Sequence, residues 1–141
     1  MSITTPKTTI PMAKLIAAVL TAGLLLAAVS GCNLFAGLSK VARAEAFVDD
    51  LDSGNYATLR NSHIHPDTST YDQLDEGYWE TNFPEGDYSL SDTSSSDNLV
   101  SGVFTGGDYN NASVEFTMKE YDGDQMIKEL VIGNDTIVPK P

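Results

Sequence analysis

Residues 112–132 read ASVEFTMKEYDGDQMIKELVI. Val114, Phe116 and Met118 alternate with Glu115, Thr117 and Lys119. Successive side chains of a strand leave opposite faces of the pleat, so this period of two predicts a half-buried strand over Ala112–Tyr121. Its apolar residues point inward and Glu115 points to solvent. Asp122-Gly123 follows. That pair tolerates positive φ at both central positions of a type I′ turn, which predicts a tight hairpin into a strand over Gln125–Ile132.

Working outward, Gly133-Asn134-Asp135 turns again, and Ile137 and Val138 add a short final strand. On the other side, Leu99–Thr105 reads as a strand, with a longer connection from Gly106 to near Asn111. Tyr88 and Leu90 alternate in a short first strand. Residues 91–97, Ser-Asp-Thr-Ser-Ser-Ser-Asp, are wholly polar and predict a turn or loop. Before Asp87 the apolar period lengthens to about 3.6 residues. Val41, Ala44, Val48 and Leu51, with Phe47 beside them, predict an amphipathic helix within residues 34–53. Ser39 is placed to cap it and Gly54 to end it. Asn55 is a candidate cap for a second short helix through Ser62, with Tyr56 and Leu59 on one face. Pro66 opposes further helix there. A third helix is predicted over Thr70–Trp79, capped by Ser69 and closed off by Pro84, with Gly77 its weak point. Helices followed by an antiparallel meander of four to five strands make an α+β domain with helices on one sheet face.

The 141 residues carry 20 acidic and 8 basic side chains, a net charge of −12, with one cysteine. One cysteine excludes a disulfide within the chain and a cysteine-rich zinc site. The acidic balance argues against nucleic acid, whose phosphates need cations to neutralise them.

The first 31 residues read as a targeting segment. Lys7 and Lys14 precede an uncharged stretch from Leu15 to Ser30. This is shorter than the roughly 20 residues of a bilayer span and fits the core of a secretory signal. It ends Ala28-Val29-Ser30-Gly31-Cys32. Val29 to Cys32 resembles the lipobox of bacterial lipoproteins: an aliphatic residue, two small residues, then cysteine. The resemblance implies a thioether lipid on Cys32, cleavage just before it, and acylation of the new amine. Several acyl chains hold a protein durably to a membrane where one does not. The implied location is the extracytoplasmic face of the cell envelope. Asn33, in place of an aspartate, implies the outer membrane in a host that has one. Cleavage keeps all 20 acids and six of the eight basic side chains, so the side-chain balance moves from −12 to −14. The expected organisation is residues 1–31 as signal peptide, 32–39 as lipidated N-terminus and tether, and 40–141 as one domain.

The stretch Ala44–Tyr56, AEAFVDDLDSGNY, is similar to the opening of small NTF2-like domains, with an amphipathic helix, a glycine corner and a second short helix. The resemblance implies a curved sheet wrapped around the helices into a cone whose mouth holds a small ligand. A cystatin-like or BON-like α+β domain is the alternative. The short last strands and the lack of a late tryptophan depart from the NTF2-like pattern.

Chemistry-bearing residues are few. His63-Ile64-His65-Pro66-Asp67 places two histidines one residue apart with a carboxylate beside them, which makes His63, His65 and Asp67 weak candidates for a metal. A polar corner with a histidine near a helix C-terminus is the favoured account of them. Neither histidine has an evident orienting partner, so no Ser–His–acid set can be drawn. Asp122-Gly123-Asp124 with Glu129 lacks the glycine and flanking helices of a calcium loop. Tyr71, Tyr78, Trp79 and Phe83 form the densest aromatic group, either core or a candidate ligand or docking surface. No cofactor is implied. The sequence therefore points to a non-catalytic, lipid-anchored envelope domain that binds a small ligand or a protein partner. The alternatives are an NTF2-like isomerase or dehydratase, which needs an ionisable group in an apolar cavity, and an adaptor subunit of an envelope assembly.

Overall fold

The computed structural model describes residues 38–141. The readings of a signal peptide, of lipid on Cys32 and of a tether up to residue 37 lie outside the described residues. Helix α1 spans Lys40–Asp52. The Ser39 hydroxyl accepts from the Ala42 amide at 3.3 Å, the expected cap. Gly54, at φ 67°, closes the helix, where a side chain would be strained. The buried face holds Ala44, Phe47, Val48 and Leu51 as the spacing predicts, and also Arg43.

Helix α2 spans Tyr56–His63. Asn55 does not cap it through its side chain. Its Nδ2 donates instead to Asp50 Oδ1 at 3.0 Å, one turn back on α1, and that acceptor leaves the amide no role in the cap. The third predicted helix is two pieces: a 3-10 turn at Tyr71–Gln73 and helix α3 at Glu76–Asn82. The break falls at Leu74 and Asp75. Asp75 takes an extended backbone, and its Oδ1 accepts from the Tyr78 amide at 2.9 Å. A carboxylate with an orphan helix donor in reach starts a helix in preference to sitting inside one. Trp79 Nε1 donates to Leu74 O at 3.0 Å and fastens the break.

Five antiparallel strands follow: β1 Ser89–Ser96, β2 Leu99–Gly106, β3 Tyr109–Tyr121, β4 Asp124–Ile132 and β5 Asp135–Val138. They lie in the sheet in chain order. Residues 91–96 are thus strand, not the predicted loop. Their side chains carry no apolar signal because β1 is an edge, paired only with β2 and kinked by a bulge between Ser91 and Ser94. Polar, bulged edges discourage pairing with other chains. The connection predicted from Gly106 to Asn111 is also shorter, since β3 begins at Tyr109. Asp122 and Gly123 have φ of 51° and 85°, as the predicted hairpin requires.

The pairs Val114–Ile132, Phe116–Leu130 and Met118–Ile127 line up inward. Thr117 pairs Glu129 while Met118 pairs Ile127, which makes Lys128 the extra residue of a bulge in β4. Against this face pack Phe47, Leu51, Leu59, Trp79 and Phe83, all essentially buried. The sequence-predicted inward set on β3 is buried and Glu115 is exposed. Gly106 sits at φ 136° against β1. A Cβ there would lie 2.4 Å from Tyr88 Cδ1 and 2.6 Å from Asp87 O. Gly106→Ala is expected to cost about 2–3 kcal/mol in urea unfolding, from positive φ and overpacking together. Because Asp87 O is backbone, trimming Tyr88 to Leu in the same chain should not restore stability. Restoration by that second change would place the strain in the ring alone.

Candidate functional site

The segment His63–Asp67 leaves α2 and runs alongside β4. Ile64 forms an isolated parallel bridge with Ile127, and the His65 amide donates to Ile127 O at 2.8 Å. This segment covers the part of β4 that β5, paired only with residues 130–132, does not reach. Its two histidines engage different neighbours. His63 is fully buried, its ring edge-on to Phe47, and its Nε2 lies 2.9 Å from Asp50 Oδ2. His65 Nδ1 accepts from the Asp67 amide at 3.0 Å, and its ring meets Tyr121 edge-on. The Asp67 carboxylate accepts from Lys119 Nζ at 2.7 Å. His63, His65 and Asp67 therefore do not converge, and among the described residues no group of three or more His, Cys, Asp or Glu side chains is placed to hold a metal ion.

Sequence reasoning found no orienting partner for either histidine, and Asp50 supplies one for His63. The pair spans two helices, so no local spacing announces it. Burial pushes the His63 pKa below its ordinary 6.5; the bond and charge of Asp50 oppose that shift, and Arg43 adds to it. Burial, then the Lys119 charge, also lowers His65 from 6.5, against the opposing Glu120 backbone bond and Asp67. Burial pushes Asp50 up, but hydrogen bonds from His63 and Asn55 outweigh it, and its pKa lies below 3.8.

For all three groups the unfolded chain binds protons at a higher pH than the folded one. Stability is then complete above the unfolded histidine pKa and is lost as pH falls from 6.5 toward the lowered folded values. Urea titrations from pH 8 to 4 should show a plateau and then a decline. Its slope is bounded by about 1.4 kcal/mol per pH unit for each histidine. His63→Gln keeps a donor for Asp50, removes the titration, and should shallow the decline between pH 6.5 and 5. A flat profile down to pH 4.5 in the unaltered protein would contradict this account.

The aromatic group divides. Trp79 and Phe83 are 0% and 1% exposed and belong to the core. Phe83 meets Tyr88 and Phe104 with centroids 6.0 and 6.5 Å apart. Tyr71 is half-buried, with Arg60 5.2 Å over its ring and its hydroxyl donating to Asn61 Oδ1. Tyr78, also half-buried, forms one wall of an open cleft of about 920 Å³. The cleft lies between the 3-10 turn with α3 on one side and β5 with residues 140–141 on the other. Tyr78 OH donates to Ile137 O at 3.0 Å across it. Tyr109 OH donates to Asp135 Oδ2 at 3.3 Å on the far wall. Asp72 and Asp75 line the near wall, and Lys140 Nζ sits 5.4 Å from the Tyr78 ring centroid. Burial raises the Tyr78 pKa; burial and then the Asp135 charge raise that of Tyr109, so both phenols stay neutral donors. Tyr109, Asp135 and Lys140 were not singled out by the sequence, because their segments are far from Tyr78 along the chain and each reads alone as a turn or strand end.

Comparison of the chain with protein-family models, with curated proteins and with solved structures yields no match.

Proposed function

We propose that this protein is a non-catalytic, lipid-anchored domain of the cell envelope that binds a small ligand or a protein partner, on an α+β scaffold of NTF2-like or cystatin-like kind. The cleft at Tyr78 and Tyr109 carries the binding half of this reading. It presents two aromatic rings and several carboxylates on opposed walls, with both phenol hydroxyls tied down in advance, and ordered walls lower the cost of holding a ligand. The non-catalytic half rests on access. The His63 ring is fully buried while its partner Asp50 keeps only part of its side chain in solvent, and an imidazole that meets no substrate exchanges no proton with it. The anchor half rests on the run Val29-Ser30-Gly31-Cys32. Durable attachment needs more than one acyl chain, which this run supplies at a single residue.

Intact-mass analysis of the protein from the membranes of its own host tests the anchor. The expected product begins at Cys32 and carries the mass of the attached acyl chains, and Cys32→Ala leaves the membrane fraction. A mature N-terminus elsewhere, or a free thiol on Cys32, overturns it. Native mass spectrometry of the same preparation tests the binding half through a retained ligand or partner. Turnover of a retained molecule would overturn the non-catalytic reading.

A further inference from the structure

We propose that residues 64–68 are an acid-released strap, closed along the free edge of β4 while the His65 ring is neutral and lifted from it when that ring gains a proton. β5 pairs only with residues 130–132 of β4. Where it stops, the strap supplies the neighbour. Ile64 bridges Ile127, the His65 amide donates to Ile127 O at 2.8 Å, and the Thr68 hydroxyl donates to Lys128 O at 3.3 Å. Lys119 and Lys128 clasp it from the strands, through the Asp67 carboxylate and the Asp67 carbonyl. A segment held at so few points opens at a lower cost than the five-stranded meander beside it.

His65 is 2% exposed, and both of its ring nitrogens are committed. Nδ1 accepts from the Asp67 amide at 3.0 Å, and the ring also bonds the Glu120 backbone of β3. One nitrogen accepting and the other donating defines the neutral ring. A proton on Nδ1 sets a donor against the Asp67 amide and breaks the bond that folds the strap back on itself. The charged groups facing the ring are Lys119 on β3, Lys128 on β4 and Asp67 on the strap. The Asp67 carboxylate is already engaged by Lys119, which holds its pKa below 3.8, so it stays ionised while His65 titrates. Two ammonium groups thus oppose the new imidazolium, and one shared carboxylate favours it. Lifting the strap releases the imidazolium to water, away from both lysines. Burial and the lysine charges lower the closed-state pKa from 6.5, so closure is complete above pH 6.5 and weakens as pH falls below it. His63, next to the strap, responds differently: its proton would strengthen the bond to Asp50, against the opposing charge of Arg43.

The test is hydrogen exchange followed by NMR on the full-length protein in non-ionic detergent, from pH 7.5 to 5, with each rate divided by the intrinsic rate at that pH. Protection at the His65 amide should lie below that of the central amides of β3, which are paired on both sides. It should fall with pH by at most about tenfold per unit, the limit for one proton. Low urea should leave it unchanged while lowering protection in β3, because a local opening exposes little surface. His65→Gln keeps a donor and an acceptor but does not titrate, and should remove the pH dependence at the strap. His63→Gln should leave that dependence in place. Equal protection at the strap and in β3 at every pH would mean that the strap opens only with the whole domain, and overturns the proposal. A decline that survives in His65→Gln and vanishes in His63→Gln places the titrating group at His63 and overturns it too. The ring titration of His65 in the unaltered protein needs no variant. Its midpoint should fall below 6.5 and coincide with shift changes at the Asp67 and Thr68 amides, and a ring that titrates while those amides stay still also overturns the strap.

Discussion

Arg43→Ala is expected to destabilise the domain by about 3–5 kcal/mol in urea unfolding, from two buried carbonyls left without donors and the void of a large side chain. Arg43 is 1% exposed on the apolar face of α1. Its Nε donates to Gln125 O at 2.7 Å and its Nη1 to Ser62 O at 2.6 Å. Gln125 O belongs to the stretch of β4 that β5 leaves unpaired, and Ser62 O belongs to the last turn of α2, where a cation also meets the negative end of the helix dipole. One side chain thus ties both helices to the sheet. Burial lowers the guanidinium's pKa, and the charge of Asp124 opposes that shift.

Removing Arg43 leaves two carbonyls without these donors and opens a void. Each unsatisfied buried polar group costs about 1–3 kcal/mol. Arg43→Lys retains the charge, but an ammonium lacks the planar fork that serves two divergent carbonyls, so it should cost less than Ala and still be measurable. Trp79 is the single tryptophan and is fully buried, so its fluorescence reports the transition. Hydrogen exchange should also quicken at the His65 amide, whose acceptor Ile127 O lies two residues along β4 from Gln125. A cost under 1 kcal/mol with unchanged exchange would show that the two hydrogen bonds carry no net stability.

Arg43 also marks the limit of what pattern reading delivers. The hairpin at Asp122-Gly123 was legible because its constraint is local: two residues that accept positive φ between two alternating runs. The inward set Val114, Phe116 and Met118 was legible because one face of β3 is buried and the other wet. Ser39 and Gly54 act on donors and angles within a turn of themselves. An arginine on an apolar stripe gives no such signal, since its burial depends on carbonyls contributed by residues 62 and 125. Residues 91–96 became strand through pairing with β2 rather than through their own preference, and polar residues suit an edge. The third helix broke because Asp75 found an orphan amide at Tyr78, a contest that periodicity does not see. The cleft was the least legible feature. Its walls come from segments around 72–82, at 109 and at 135–141, and only the meander's closure onto α3 brings them together.

Trp79→Ala is expected to cost about 3–5 kcal/mol, the range for deleting a large buried aromatic side chain, and to disable the cleft as well. The indole meets Phe47 at 5.6 Å and Tyr78 at 5.0 Å, both edge-to-face, and Phe83 at 6.0 Å. Its N–H holds Leu74 O, the point at which the 3-10 turn gives way to α3. Two consequences follow from one deletion. The core loses its largest buried side chain and the surrounding rings relax only in part, so a cavity term adds to the lost transfer free energy. The backbone at Leu74 loses its donor, and α3 loses the contact that orients Tyr78 against β5. Trp79→Phe separates these effects, because it refills most of the volume and restores no N–H. Unfolding followed by circular dichroism should place it between the unaltered protein and Trp79→Ala. Hydrogen exchange at the Tyr78 amide, held by Asp75 Oδ1 beside Leu74, should quicken even in Trp79→Phe, at temperatures where that variant is fully folded. If Trp79→Phe exchanges like the unaltered protein, the Leu74 hydrogen bond does not position Tyr78, and the cleft's geometry is set by β5 and the Tyr78–Ile137 bond alone.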